Sequence, residues 1–292
     1  MPTPQELTAI LDRMPDLDKG AAESGGKRPK PSTGKLTGPP WTEAIAEVFD
    51  PVLAGGRDAV AGLVAMLNEV DDGKDWRVRY TLHGLAVYTC RPGKEDERTA
   101  VRDAFLAALG QDRPTPVKAF LVRELATVGD RRAVAAVAAL LADPDLGLDA
   151  AATLVAIGDG AAEAFRAALG KAAGRNRLQV LQALGRLKDA AAAPALMEAA
   201  GDADAEVCLE AVWALARLGH APAADACLKA LEKGGWERIK AAQACLLLAE
   251  TLAAAGKKAD AKAVYQRLRD ACTHDQEAYL REACDRGLAG VG

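Results

Sequence analysis

One phrase returns four times in the middle of the chain. It reads LATVGD (125–130), LVAIGD (154–159), LGRLKD (184–189) and LARLGH (215–220), at steps of 29, 30 and 31 residues. A self-similar period of this length marks a chain built from stacked units, each hiding its apolar face only against a neighbour. Every copy ends one run with helical apolar spacing and opens another. First helices are therefore expected over 117–128, 148–157, 175–187 and 205–218, and second helices over 131–142, 161–169, 191–200 and 222–232. Leu125, Leu154, Leu184 and Leu215 occupy one equivalent position, expected to face the neighbouring helix in every unit. The glycine suits a left-handed residue just past a helix end, and the aspartate after it can cap the second helix. Lys188 stands where the other copies carry glycine.

Composition agrees with helices. Aromatic residues make up only 4% of the 292 residues, while alanine and leucine are abundant. That balance suits closely packed helices and disfavours sheets. At this length two domains or a repeat array are the natural arrangements. The net charge of −4 makes no electrostatic case for nucleic acid, which calls for a basic stripe, so a nucleic-acid partner is not expected. No apolar run is long enough to span a membrane. The N-terminus lacks a basic segment followed by an apolar one, so a cytoplasmic protein is expected if Met1 is the natural start, and a periplasmic one if a signal peptide has been removed.

Along the chain, 3–14 reads as a short amphipathic helix with Leu7, Ile10, Leu11 and Met14 on one side. It is either a frayed tail or a tethered peptide that docks on a partner or on the body of the protein. Residues 15–40 are rich in Gly, Pro, Ser and Lys and read as a flexible linker. The expected division is thus 1–40, a short helix and linker, and 41–292, the helical array. From Trp41, helices over 41–53, 57–70, 76–89 and 98–109 alternate with short breakers, and Thr115 is expected to cap the next helix with Pro116 in its first turn. After Trp236 the units lengthen. Gly256, Ala261, Tyr265 and Leu268 follow a tetratricopeptide-like spacing, and the helix over 276–288 is expected to close the core.

Asp75 with Val78-Arg79, Val117-Lys118 and Ile239-Lys240 match the acidic and Val/Ile-basic elements that open HEAT units. With the Ala/Leu-Gly helix ends, the chain resembles the HEAT repeat family over 41–288, and most closely its short bacterial PBS-lyase HEAT-like variety. The resemblance implies an all-α fold, a right-handed α-solenoid of about seven antiparallel helix pairs plus a capping helix. It implies a non-catalytic scaffold that binds protein partners on a curved face, expected on the row of second helices. Two further readings arise from it: an accessory or lyase-type protein acting with an enzyme complex or a chromophore, and a HEAT-like nucleic-acid binder.

Residue chemistry bears on the enzymes that share this architecture. The deoxyhypusine hydroxylase type holds two irons with His-Glu pairs; here the histidines read His83-Gly84, His220-Ala221 and His274-Asp275, so that activity is excluded. HEAT-like DNA glycosylases use a basic groove with Trp and Asp; Trp76, Trp213 and Trp236 are present, but a tryptophan at a helix start more often packs against the next repeat. Cys272, His274 and Cys284 are the one set that spacing could offer to zinc, and Cys272 with Cys284 the one nearby pair for a bridge. Buried thiols beside a solvated histidine are the plainer reading. Cys208 and Cys245 sit at equivalent places on stacked helices, roughly 8–10 Å apart and too far to bridge. The acidic loops at Asp71, Asp72 and Asp75 and at Glu95, Asp96 and Glu97 read as solvated turns. No catalytic, cofactor-binding or metal-binding residue is therefore expected.

Overall fold

The computed structural model describes residues 2–14, 44–70 and 73–292, and every regular element among them is helical. The linker expected over 15–40, with Trp41, Asp71 and Asp72, lies outside the described residues. The chain divides into two units, Met1–Ala136 and Val137–Gly292.

The first unit contains α1 (Pro4–Leu11), α2 (Asp50–Ala54, continuing a π-helical turn Ile45–Phe49), α3 (Gly56–Ala65), α4 (Trp76–Tyr88), α5 (Glu95–Leu109) and α6 (Thr115–Val128). Phe49, Leu63, Leu82, Phe105 and Leu121 are fully buried at its centre. Phe49 reaches α4 only because residue 84 is glycine: a Cβ there would lie 2.1 Å from the ring. The N-terminal helix is docked on this body, against α2, α3 and α4. Leu7, Leu11 and Met14 are buried, and Leu7 lies so close over Gly62 that any side chain at 62 would collide with it. Thr3 and Glu6 form a reciprocal capping box, and Asp12 pairs with Arg77 at 3.0 Å. A helix this short is marginal alone in water, so its buried side chains, each worth about 1.5–3 kcal/mol, sustain it.

Thr115 is not a cap. Pro114 holds the cap position of α6, with Thr115 and Pro116 inside the first turn. Pro114, already extended at ψ 147°, turns the chain one residue earlier than the sequence suggested.

The second unit contains α8 (Gly147–Ile157), α9 (Ala161–Leu169), α10 (Gly174–Arg186), α11 (Ala193–Ala199), α12 (Ala205–Leu218), α13 (Ala224–Lys229), α14 (Gly235–Ala254), α15 (Lys258–Ala271) and α16 (Ala278–Val291), and the unit boundary falls within α7 (Val134–Ala138). The first helices α8, α10, α12 and α14 pack side by side as one row. Helices α9, α11 and α13 pack against them as a second layer, α15 takes the same place beside α14, and α16 covers α14 and α15. Tyr265 is buried with its ring against Gly287 of α16, where a Cβ would stand 2.4 Å from it.

The repeated phrase is a mechanical joint. Its four leucines are fully buried. The backbone carbonyls of Leu184 and Leu215 each accept a bond from the amide five residues on, Asp189 and His220, both at 3.2 Å, closing the helix end as a Schellman turn. Positive φ appears at Gly158 (73°), Lys188 (50°) and Gly219 (64°), so Lys188 accepts a glycine's conformation. Gly129 departs: at φ −65° and ψ 153° it is extended, and α6 ends without a left-handed residue. The capping role is filled by Asp130, which accepts from the Arg132 amide at 2.9 Å. Asp189 spends its carboxylate on Arg166 instead, at 2.5 Å, and His220 makes no cap bond. The second helices are also shorter than their apolar runs, because several begin as 3-10 turns, at Arg131–Ala133, Ala190–Ala192 and Ala221–Ala223. Pro222 sits in one of these turns and Pro194 in the first turn of the helix that follows another, and both withhold amide donors.

Candidate functional site

The outward surface of the second unit's first-helix row carries a groove that begins with a close approach of backbones. A Cβ built on Gly185 of α10 would lie 2.7 Å from the Ala214 Cα of α12. Only glycine against alanine lets the two helices meet this closely, and the stem of Arg217 lies over the contact, its Cδ within 3.5 Å of that Cβ position. Beside this seam stand Arg186 and Arg217, which occupy the same place in their phrases, LGRL and LARL. Both are exposed, and neither makes an ion pair or a side-chain hydrogen bond with any described residue. With Gln182, Glu210, Trp213 and Lys240 they line a hollow of about 260 Å3. Three cations thus face one carboxylate in a chain whose net charge is −4.

Trp213 is half-buried in the wall, and the Lys240 ammonium lies 5.9 Å from its ring centroid, within cation–π range. On its other side Trp213 lines a second hollow of about 270 Å3 with Leu178, Leu209 and Trp236. Trp236 is 55% exposed, and Ile239, one turn along, is 48% exposed. Trp236 and Trp76 are therefore only partly covered, where full packing against a neighbouring repeat was expected of tryptophans at helix starts. Trp76 is also exposed, with the Arg77 guanidinium 5.5 Å from its ring centroid. This groove lies on the first helices, whereas the sequence pointed to the second.

Residues 162–247 match the family model described as HEAT repeats. The matched segment holds α10 and α12, and it ends inside α14. The complex of CpcE and CpcF of phycocyanin lyase from Nostoc sp. PCC7120 is similar at 21% identity, covering 78% of this chain and 94% of that one, with a TM-score of 0.41. Human deoxyhypusine hydroxylase in complex with glycerol is similar at 18% identity, covering 99% and 96%, with a TM-score of 0.31. No curated protein matches.

The remaining chemical candidates fall elsewhere. Cys272 and Cys284 are buried free thiols, and burial pushes both pKa values up, that of Cys284 to about 11. His274 is exposed at the start of a 3-10 turn, and its neighbour Glu277 is bound to Arg238 at 2.6 Å. Among the described residues no group of three His, Cys, Asp or Glu side chains could hold a metal ion. A hydrogen bond with Cys227, then burial and the other neighbouring thiols, push the Cys245 thiol up as well. His83 contacts both carboxylate oxygens of Glu124, at 3.1 and 3.2 Å, and this bond raises its pKa. Asp75 is no solvated loop residue: it is buried, accepts from the Asn68 amide at 2.9 Å and holds Arg79. Glu95, Asp96 and Glu97 form the first turn of α5, where negative charge suits the helix dipole.

Proposed function

We propose that this chain is a non-catalytic scaffold that binds protein partners, and that the groove across α10, α12 and α14 is where a partner docks. The observation that carries the reading is the conjunction of exposed Trp236 and Ile239 with the uncommitted guanidiniums of Arg186 and Arg217. Large aromatic side chains and arginine are the types that dominate protein interfaces, and the hollows that hold them here lie beside one another, sharing Glu210, Trp213 and Lys240. A run of stacked helices offers such a face without needing any reactive group.

The test is site-specific photo-crosslinking in cells, with a benzophenone side chain placed at Gln182 in the groove or at exposed Lys262 on α15. A discrete protein adduct from position 182 and none from 262 is the expected result. No adduct from 182, or the same adducts from both, overturns the reading. Of the described residues, no helix is long and apolar enough to cross a membrane.

A further inference from the structure

We infer that the groove takes an extended acidic peptide segment, its carboxylates on Arg186 and Arg217 and an apolar side chain against Trp213 and Trp236. This rests on the protein-binding reading and names the chemistry of the partner. The two hollows have different linings. The first presents Arg186, Arg217 and Lys240 against Glu210 alone, a site for negative charge. The second presents Leu178, Leu209, Trp213 and Trp236, with Glu206, Glu210 and Lys240 at its edge, a site for an apolar anchor and not for a further carboxylate. Glu210, Trp213 and Lys240 belong to both, so one ligand can engage the two together.

The arginines are free to bind. Several other arginines of the same unit are committed, Arg166 to Asp189, Arg177 to Asp202 and Arg238 to Glu277, although exposed Arg175 and Arg286 are not. Arg186 and Arg217 hold an equivalent place on adjacent helices and are left without a partner among the described residues. Guanidinium forks bind carboxylates in bidentate fashion, which fixes orientation as well as charge. Glu206 and Glu210, set beside the tryptophans, oppose a continuous polyanion such as nucleic acid, which would have to pass them. A peptide can place its acidic residues over the arginines and its apolar residue beyond. Crossing three helices requires roughly 20 Å, which six to eight extended residues provide.

The experiment selects ligands for the full chain from a library of random peptides displayed on phage, and repeats the selection on Arg186→Glu/Arg217→Glu. The wild-type protein is expected to enrich Asp or Glu near an aromatic or branched apolar residue. The double reversal is expected to enrich Lys or Arg in their place and to bind the wild-type peptides about tenfold more weakly. Arg186→Glu alone, which leaves the Arg217 stem over the Gly185 seam in place, is expected to give a smaller loss in the same direction; circular dichroism checks the fold of each variant. Selection of no peptide, of peptides without acidic enrichment, or of the same acidic peptides by the double reversal overturns the inference. If that happens while Gln182 still crosslinks a partner in cells, the scaffold reading stands and only the acidic-peptide chemistry is lost.

Discussion

Two surfaces, one in each unit, dispose of similar residues in opposite ways. In the first, an apolar surface is covered from within the chain by α1, and the arginines nearby are tied inward: Arg77 to Asp12, Arg79 to Asp75, Arg102 to Asp103 and Asp130, and Arg113 to the Val64 carbonyl. In the second, Trp236 and Ile239 stay uncovered beside Arg186 and Arg217, which bind no described residue. Buried Arg102, only 3% exposed and held by two carboxylates, supports the fold, and removing both partners would leave its charge stranded. Arg186 supports nothing and is available. The contrast separates a surface whose arginines are consumed within the chain from one that presents them.

The largest effects should come from the joint common to both. Leu125→Ala in the first unit and Leu215→Ala in the second each open a cavity at a fully buried site, and each should cost about 2–5 kcal/mol in chemical denaturation. A cost below about 1 kcal/mol at either would show that the phrase is not equally structural in the two units. Leu7→Asp tests whether the cover on the first unit is real. It should undock α1, forfeiting about 2–3 kcal/mol of burial and raising amide exchange in α3 around Gly62. Unchanged exchange there would refute the docking.

The second unit has its own test in the seam beneath the groove. Gly185→Ala forces a methyl against the Ala214 backbone and should cost about 1–3 kcal/mol, while Gly170→Ala, with open space around it, should be neutral or slightly stabilising. Equal melting temperatures for the two variants would dismiss the close approach. Lys188→Gly should stabilise by about 1 kcal/mol, since it relieves a positive φ of 50°. The smallest effect belongs to His83 in the first unit. Glu124 raises its pKa, so the imidazolium–carboxylate contact is present at low pH and its contribution is lost as pH rises through the raised value. A proton NMR titration should find His83 above its ordinary value and Glu124→Gln should bring it down; no difference between the two would remove the contact.

Much of this architecture was legible because it is local. The buried leucines, the first-helix spans and the positive φ at Gly158 and Gly219 all stem from a phrase read along the chain. The Gly129 exception was not legible, because its extended ψ is set by the residue after it: Asp130 caps a 3-10 turn and also binds Arg102 across 28 residues. Nor was the fate of α1: an apolar stripe states that a helix must dock but not on what, and Gly62 has no signature that marks it as the seat for Leu7. The groove was missed for a related reason. Its residues come from three helices, and an arginine's freedom is a property of everything around it. One signal was in reach, the shared third position of LGRL and LARL, which places Arg186 and Arg217 side by side once the helices stack.

The Gly185–Ala214 seam also acts as a ruler. By letting α10 and α12 meet at the short end of helix packing, about 8–10 Å, it sets the separation of the two repeat-equivalent arginines. A polyproline II segment rises about 3.1 Å per residue with three residues per turn, so side chains three apart share a face at about 9 Å. On the inference of an acidic peptide in the groove, the repeat would read its ligand in steps of three residues. Peptides with their two glutamates three apart should bind more tightly than those with a spacing of two or four, and equal affinity across the series would show that the groove counts charge and not distance.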